Sequence, residues 1–280
     1  MDFNKSAYCI YTEDTELEFS KDCFKIYLPS EKGYVNYNIV HSVNSDITAD
    51  IWRLGRAFAY NDDLSESYPL TPVRAEWDMA VMIEGRDDFI GGSNHGDEIF
   101  TSMRVEIDGA QEDVFSIREL RAFENIKIFV ESVGYDPCDH KTKVLLHNKE
   151  YSINKEGITL AQSVTWLGDY AVGSSYLAMM PPCKSLTEMY FTDNDKMPKS
   201  ICHSVTVLGA KSATLYSEKT KTSFTMSIDE YPTLNESGRF LITDNSGNPY
   251  NKMYFFACKG DKVKAGDVWR SVTRYKITVG

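Results

Sequence analysis

Several absences narrow the field before any pattern is read. No apolar run approaches the roughly 20 residues that span a bilayer as a helix, so no membrane partner is expected. The amino terminus, MDFNKSAYCIYTED, has no basic region leading into an apolar core; no secretory signal is read there, and the setting is left open, with a virion and the cytoplasm both compatible. Basic residues are in deficit. Thirty Lys and Arg stand against 41 Asp and Glu, a net charge of −11, and a phosphate backbone is a poor partner for such a surface, so nucleic acid is not an expected ligand. The six cysteines, at 9, 23, 138, 183, 202 and 258, form no C-x-x-C pair and read as reduced thiols, not as a disulfide frame or a zinc site. Cys202 and His203 are adjacent, but neighbours on a strand point to opposite faces; neither a metal nor a cofactor is expected. No period of 20 to 50 residues repeats, which disfavours a propeller or solenoid.

What is present is alternation. Seventeen Tyr, 14 Phe and many Val, Ile and Thr residues fall in short segments bounded by Gly, Asn, Asp or Pro, the signature of an all-β chain. In RAEWDMAVMIEG, Trp77, Met79, Val81 and Ile83 share one face of a strand, with Glu76, Asp78, Ala80 and Met82 on the other. IFTSMRVEIDG repeats the plan and ends in an Asp108-Gly109 turn. KTKVLLHNKEYSI reads as a hairpin turning through His147, Asn148 and Lys149, and the next strand places Gln162, Val164 and Trp166 on one side. Further hairpins turn at 218–221 and around Ser246-Gly247-Asn248-Pro249, and DVWRSVTRYKITV closes the chain as one long strand. One helix is expected, over 113–125, where Ser116 and Glu119 have capping-box spacing.

Fourteen to 18 strands by this rough count favour a single jelly-roll-like antiparallel β-sandwich with one or two short helices. At 280 residues such a unit can bury roughly three quarters of its unfolded surface. The only internal boundary is Pro181-Pro182 with the polar stretch 192–200, read as a loop within residues 1–280.

Candidate chemistry centres on DDFIGGSNHGDE, residues 87–98, where two glycines precede Asn94, His95, Asp97 and Glu98. Its His95 and Glu98 spacing resembles the first zinc-binding segment of the aspartoacylase and succinylglutamate desuccinylase family, although that family's βα pattern is absent. Glu76-Trp77-Asp78 resembles the start of the Glu-x-Asp-x-x-Glu strand of jelly-roll glycoside hydrolases; Val81 stands where the third acid belongs. Over most of its length the strand pattern and aromatic content are similar to jelly-roll polysaccharide lyases and phage-tail carbohydrate modules, which implies a polysaccharide partner. β-Elimination on a uronate polymer needs a base, a proton donor and groups that neutralise the carboxylate. His95 or His140 supplies the base and Tyr176 the donor. Arg104, Lys143 and Gln162 supply carboxylate partners, Trp166 a stacking platform, and Asn94 and Glu98 further contacts. The competing class is a non-catalytic glycan-binding or virion attachment module, or an oligomeric shell protein. Each residue also has an ordinary role: Trp166 and Tyr176 as core aromatics, Arg104 as a cross-strand ion-pair partner, His140 as part of a solvated loop.

Overall fold

The computed structural model describes residues 5–13, 20–73, 75–92, 94–232, 238–244 and 247–280. These form twenty-two strands and three single 3-10 turns. The amino-terminal half contributes β1 (Ala7–Thr12), β2 (Ser20–Pro29), β3 (Tyr34–Asn44), β4 (Ala49–Tyr60), β5 (Ser67–Pro69), β6 (Ala80–Ile83), β7 (Glu98–Ile107), β8 (Ala110–Glu112), β9 (Arg121–Phe123) and β10 (Ile126–Tyr135). The middle contributes β11 (Lys143–Asn154), β12 (Gly157–Trp166), β13 (Tyr170–Met180), β14 (Met189–Thr192), β15 (Asp195–Ser200) and β16 (Val205–Leu208). The remainder gives β17 (Ser212–Ser217), β18 (Thr222–Glu230), β19 (Arg239–Thr243), β20 (Lys252–Phe256), β21 (Lys262–Val263) and β22 (Val268–Val279).

The chain is an all-β sandwich whose described pairings are antiparallel except where Ala49 and Asp50 of β4 run parallel to Glu98 and Ile99 of β7. Sixteen strands form one large sheet, in the order β15-β14-β17-β18-β22-β12-β11-β10-β7-β4-β3-β2-β1-β9 with β5 and β8 alongside; β16-β19-β20-β13-β21, with β6, form a smaller one. Strict alternation drives the assembly: along β12 every second residue, from Ile158 to Trp166, is buried. Such a strand can be satisfied only by a layer against its apolar face. The two sheets are stitched by polar atoms as well as rings. Gln162 on β12 accepts from Met79 N at 3.1 Å and donates to Leu177 O of β13 at 2.9 Å, and the Tyr275 hydroxyl of β22 donates to Trp77 O at 2.7 Å. Trp77 donates in turn to Gly55 O and packs edge-on against Tyr275. Full burial of each large ring contributes about 1.5–3 kcal/mol.

Four local expectations need correction. Residues 113–125 are not a helix. Asp113 caps one 3-10 turn, Val114–Ser116, and the Ile117 carbonyl then accepts from Tyr11 N of β1 at 2.8 Å; the chain is captured by a strand edge, and Arg121–Phe123 pairs with β1. The HNK triplet at 147–149 is not a turn but the middle of β11, paired continuously with β10 and β12. Residues 192–200 are not a loop: Thr192 pairs with Asp195 to close the β14–β15 hairpin, and Pro198 is accommodated because β15 is an edge strand. The strand expected across 74–85 is shorter, with pairing confined to Ala80–Ile83, although Trp77 and Met79 still enter the core. The hairpins at 218–221 and between β19 and β20, and the long closing strand β22, form as the sequence indicates; Ser246 of the second turn lies outside the described residues.

Candidate functional site

Between β6 and β7 the chain runs under a local constraint that only glycine relieves. Gly92 has φ +77° and a Cβ there would lie 2.9 Å from Glu76 Oε1; Gly96 has φ +82° and a Cβ would meet Ile47 O at 1.8 Å. Closed by a Gly91 N to Gly96 O bond and pinned by Asp97 N to Ile47 O, the segment lays the Asn94 amide on Glu76 Oε1 at 3.1 Å. The other oxygen of Glu76 takes Lys252 Nζ of β20 at 2.8 Å, with both side chains under one tenth exposed. Burial alone would raise the Glu76 carboxyl, but Lys252, His95 and the Asn94 amide outweigh it and hold the group below the usual carboxylate range.

Beside this pair the smaller sheet presents aromatic side chains. Tyr176 of β13 stands opposite Phe256 of β20; their rings are 4.7 Å apart, Tyr176 and Tyr254 4.8 Å, and Tyr176 and Phe89 4.9 Å with nearly parallel planes. Phe89 leads to His95, 4.9 Å away between ring centres. His95 Nδ1 lies 2.6 Å from Asp88 Oδ1. A carboxylate there can only accept, so Nδ1 carries a proton. Lys252 Nζ sits 4.6 Å from the Tyr254 ring centre. Tyr176, Tyr254 and Phe256 are all half-buried. Burial first, then Glu76, pushes the Tyr254 phenol above its ordinary value, and burial with Tyr254 does the same to Tyr176. Both are neutral hydrogen-bonding rings near pH 7.

Elsewhere in the fold lies a fully enclosed ionic network. Lys149 Nζ is 3.1 Å from Asp78 Oδ2 and 3.6 Å from Glu98 Oε1; Tyr151 donates to Asp78, and Ser132 and His147 Nδ1 donate to Glu98. Burial opposes the Glu98 charge, but Lys149, His147 and Ser132 prevail and keep it ionised far below the ordinary value. Arg53, also buried, donates to Ala75 O and Leu54 O.

The structure therefore brings together His95, Tyr176 and the Asn94 backbone and separates the others. Glu98 faces Ser132, His147 and Lys149 while His95 faces Asp88, so the zinc-like spacing does not converge on one point. Glu76 and Asp78 likewise engage different lysines inside the fold. Gln162 is spent on inter-sheet bonds. Trp166 is sealed against Trp269 and presents no face to a ligand. Arg104 lies on β7, over the Phe129 ring and paired with Glu106, and Lys143 is exposed where β11 begins. His140 is held at 2.5 Å by Asp97, and no contact among the described residues joins it to His95 or Tyr176. Sequence reading missed Lys252, Tyr254 and Phe256. The signal was present: in KMYFF these three share one face by strand periodicity.

No protein-family model matches the chain, and no curated protein matches it in sequence. Among solved structures it is similar to a galactose mutarotase-like protein from Clostridium acetobutylicum, with 11% identity over 99% of this chain and 100% of that one and a TM-score of 0.49. It is similar also to a galactose mutarotase-like protein from Lactobacillus casei, with 10% identity over 90% and 99% of the two chains and a TM-score of 0.47. A third is the GH36 α-galactosidase AgaB from Geobacillus stearothermophilus, with 8% identity over 96% of this chain and a TM-score of 0.49; this chain spans 41% of that protein's length.

Proposed function

We propose that the chain binds a polysaccharide at the aromatic patch formed by Tyr176, Tyr254 and Phe256 beside buried Phe89, with the flanking Glu76–Lys252 and His95–Asp88 pairs. One observation carries the reading: half-buried aromatic rings lie beside polar groups whose positions are fixed from below. Sugar rings are recognised by that combination, since their C–H faces pack on aromatics while their hydroxyls need preorganised donors and acceptors. The Asn94 amide and Lys252 are oriented by a buried carboxylate, which lowers the ordering cost of binding. Titration calorimetry against uronate-containing and neutral oligosaccharides tests it. Tyr254→Ala should weaken binding about tenfold or more, equivalent to about 1.4 kcal/mol, in a variant that still melts cooperatively; retained affinity in Tyr254→Ala and Tyr176→Ala together refutes it.

A cleavage reading has one supporting observation, His95, its Nδ1 bonded to Asp88, two ring contacts from the Tyr176 hydroxyl-bearing ring. In β-elimination Nε2 would take the C5 proton of a uronate and a neutral phenol would protonate the leaving oxygen. Appearance of ultraviolet-absorbing unsaturated ends, lost in His95→Ala and Tyr176→Phe, is the expected result under this reading. Binding without such products assigns the aromatic patch to recognition alone.

A further inference from the structure

The large sheet carries a second groove, on the face of β10, β11, β12 and β22 that points away from the core. Register fixes its composition. Glu131, Asn148, Ser163 and Arg270 stand in one cross-strand row, and Phe129, Glu150, Ala161 and Val272 in the next, which Glu230 of β18 extends. The residues between these rows, Val130, Lys149, Gln162 and Ser271, all point inward and are buried. Strands lie 4.7–4.9 Å apart, so a row crossing four of them is about 14 Å long. Ala161 and Ser163 make a low floor between longer side chains. The cavity over it measures about 390 Å³ and shares Glu230 and Arg270 with an adjoining one of about 530 Å³ bordered by Tyr231 and Trp269.

The charges of this groove nearly balance, although the protein as a whole carries −11. Glu150 is offset by Lys127 and Glu230 by Arg270, which leaves Glu131 as the one uncompensated charge. Glu131 already accepts from Ser102, Glu150 is 3.3 Å from Lys127, and Arg104 is engaged by Glu106 and Phe129. Among the described residues, Arg270, Glu230, Asn148 and Ser163 make no side-chain hydrogen bond or ion pair. What the groove offers is a set of donors and acceptors with little net charge, along a straight track.

We infer that this groove is a second ligand site, taking a linear, uncharged oligosaccharide laid across the strands. A polyanion would meet three glutamates and a polycation the flanking bases, whereas hydroxyl groups can use amide, guanidinium, carboxylate and serine alike. This inference does not depend on the aromatic patch. Calorimetric titration of the whole chain with neutral hexasaccharides of glucose, mannose and galactose is the test. Saturable binding should appear, and Ala161→Trp, which fills the floor, should weaken it about tenfold with no change in melting temperature. Arg270→Ala with Asn148→Ala, both at exposed positions, provides a second variant if the tryptophan disturbs folding. Loss in the groove variants but not in Tyr254→Ala assigns the binding here; loss in Tyr254→Ala alone assigns it to the aromatic patch and overturns the inference. Absence of binding at about 1 mM ligand, or a preference for charged glycans or peptides that the groove variants abolish, overturns it as well.

Discussion

Lys252→Met is the most informative single change, because it leaves the Glu76 carboxylate enclosed without its cation. The ammonium lies 2.8 Å from Glu76 Oε2, and the two side chains are 8% and 4% exposed. After the substitution only the Asn94 amide and more distant groups face that charge. Removing one partner of a buried pair costs about 3–5 kcal/mol. At about 2–4 °C per kcal/mol for a protein of this size, the melting temperature should fall by roughly 6–20 °C. The pH dependence fixes the cause. Glu76 has a native pKa below its unfolded value of about 4.3, so its pair contributes stability that is fully present above that value and is lost as pH falls through the native one. In Lys252→Met burial is opposed only by the Asn94 amide and more distant groups, so the native pKa rises toward or past the unfolded value. The variant's deficit should then be greatest at neutral pH and shrink under acid. Urea unfolding at pH 7 and at about pH 4 measures both, and Glu76→Gln added to Lys252→Met should recover most of the loss. A deficit below about 1 kcal/mol at pH 7, or one independent of pH, refutes the argument.

Three further outcomes can be checked with simple measurements. Gly96→Ala should destabilise by more than the roughly 1–2 kcal/mol of left-handed strain alone, because its Cβ would run into the Ile47 carbonyl; a chemical melt within about 0.5 kcal/mol of the parent would contradict this. Cys138 and Cys202 are exposed and should react rapidly with a thiol reagent, whereas buried Cys9, whose thiol is pushed up to about 12 mainly by burial, should react only on unfolding. The Asp97 carboxylate bonded to His140 raises the imidazole's pKa; its contribution to stability is full below the unfolded value of about 6.5 and is lost as pH rises through the native value, and Asp97→Asn should move the His140 titration down in an NMR experiment.

Where a segment's environment is set by its own alternation, the sequence revealed it: β12, β18 and β22 bury every second residue, and the hairpin at 218–221 follows from its polar turn. The failures have a common physical origin in distant partners. His147 and Lys149 read as turn residues because polar side chains inside a strand have no local explanation; Glu98, 49 residues away, and Asp78, 71 residues away, supply it. Residues 113–125 have helical spacing, but β1 offers the backbone a sheet edge. Half of the candidate site was legible for the same reason. His95 and Tyr176 stood out by residue type, but the lysine that completes the site comes from position 252, 176 residues from the carboxylate it neutralises.

Stability is a poor reason for so costly a pair as Glu76 and Lys252, since replacing a buried ion pair with well-packed apolar residues is commonly neutral or stabilising. Its geometry suggests positioning: one oxygen of Glu76 holds Lys252 beside Tyr254, and the other holds the amide of Asn94, next to His95. The double substitution Glu76→Leu with Lys252→Met separates the two roles. It removes both charges together, so melting should stay within roughly 5 °C of the parent, about 1–2 kcal/mol at this size. The Asn94 amide, however, loses its acceptor and Lys252 no longer reaches the aromatic patch, so oligosaccharide affinity should fall about tenfold or more. Calorimetry and melting on the same preparation measure both. A variant that melts far below the parent makes the pair a stability element, and one that melts and binds like the parent removes Glu76 and Lys252 from the site.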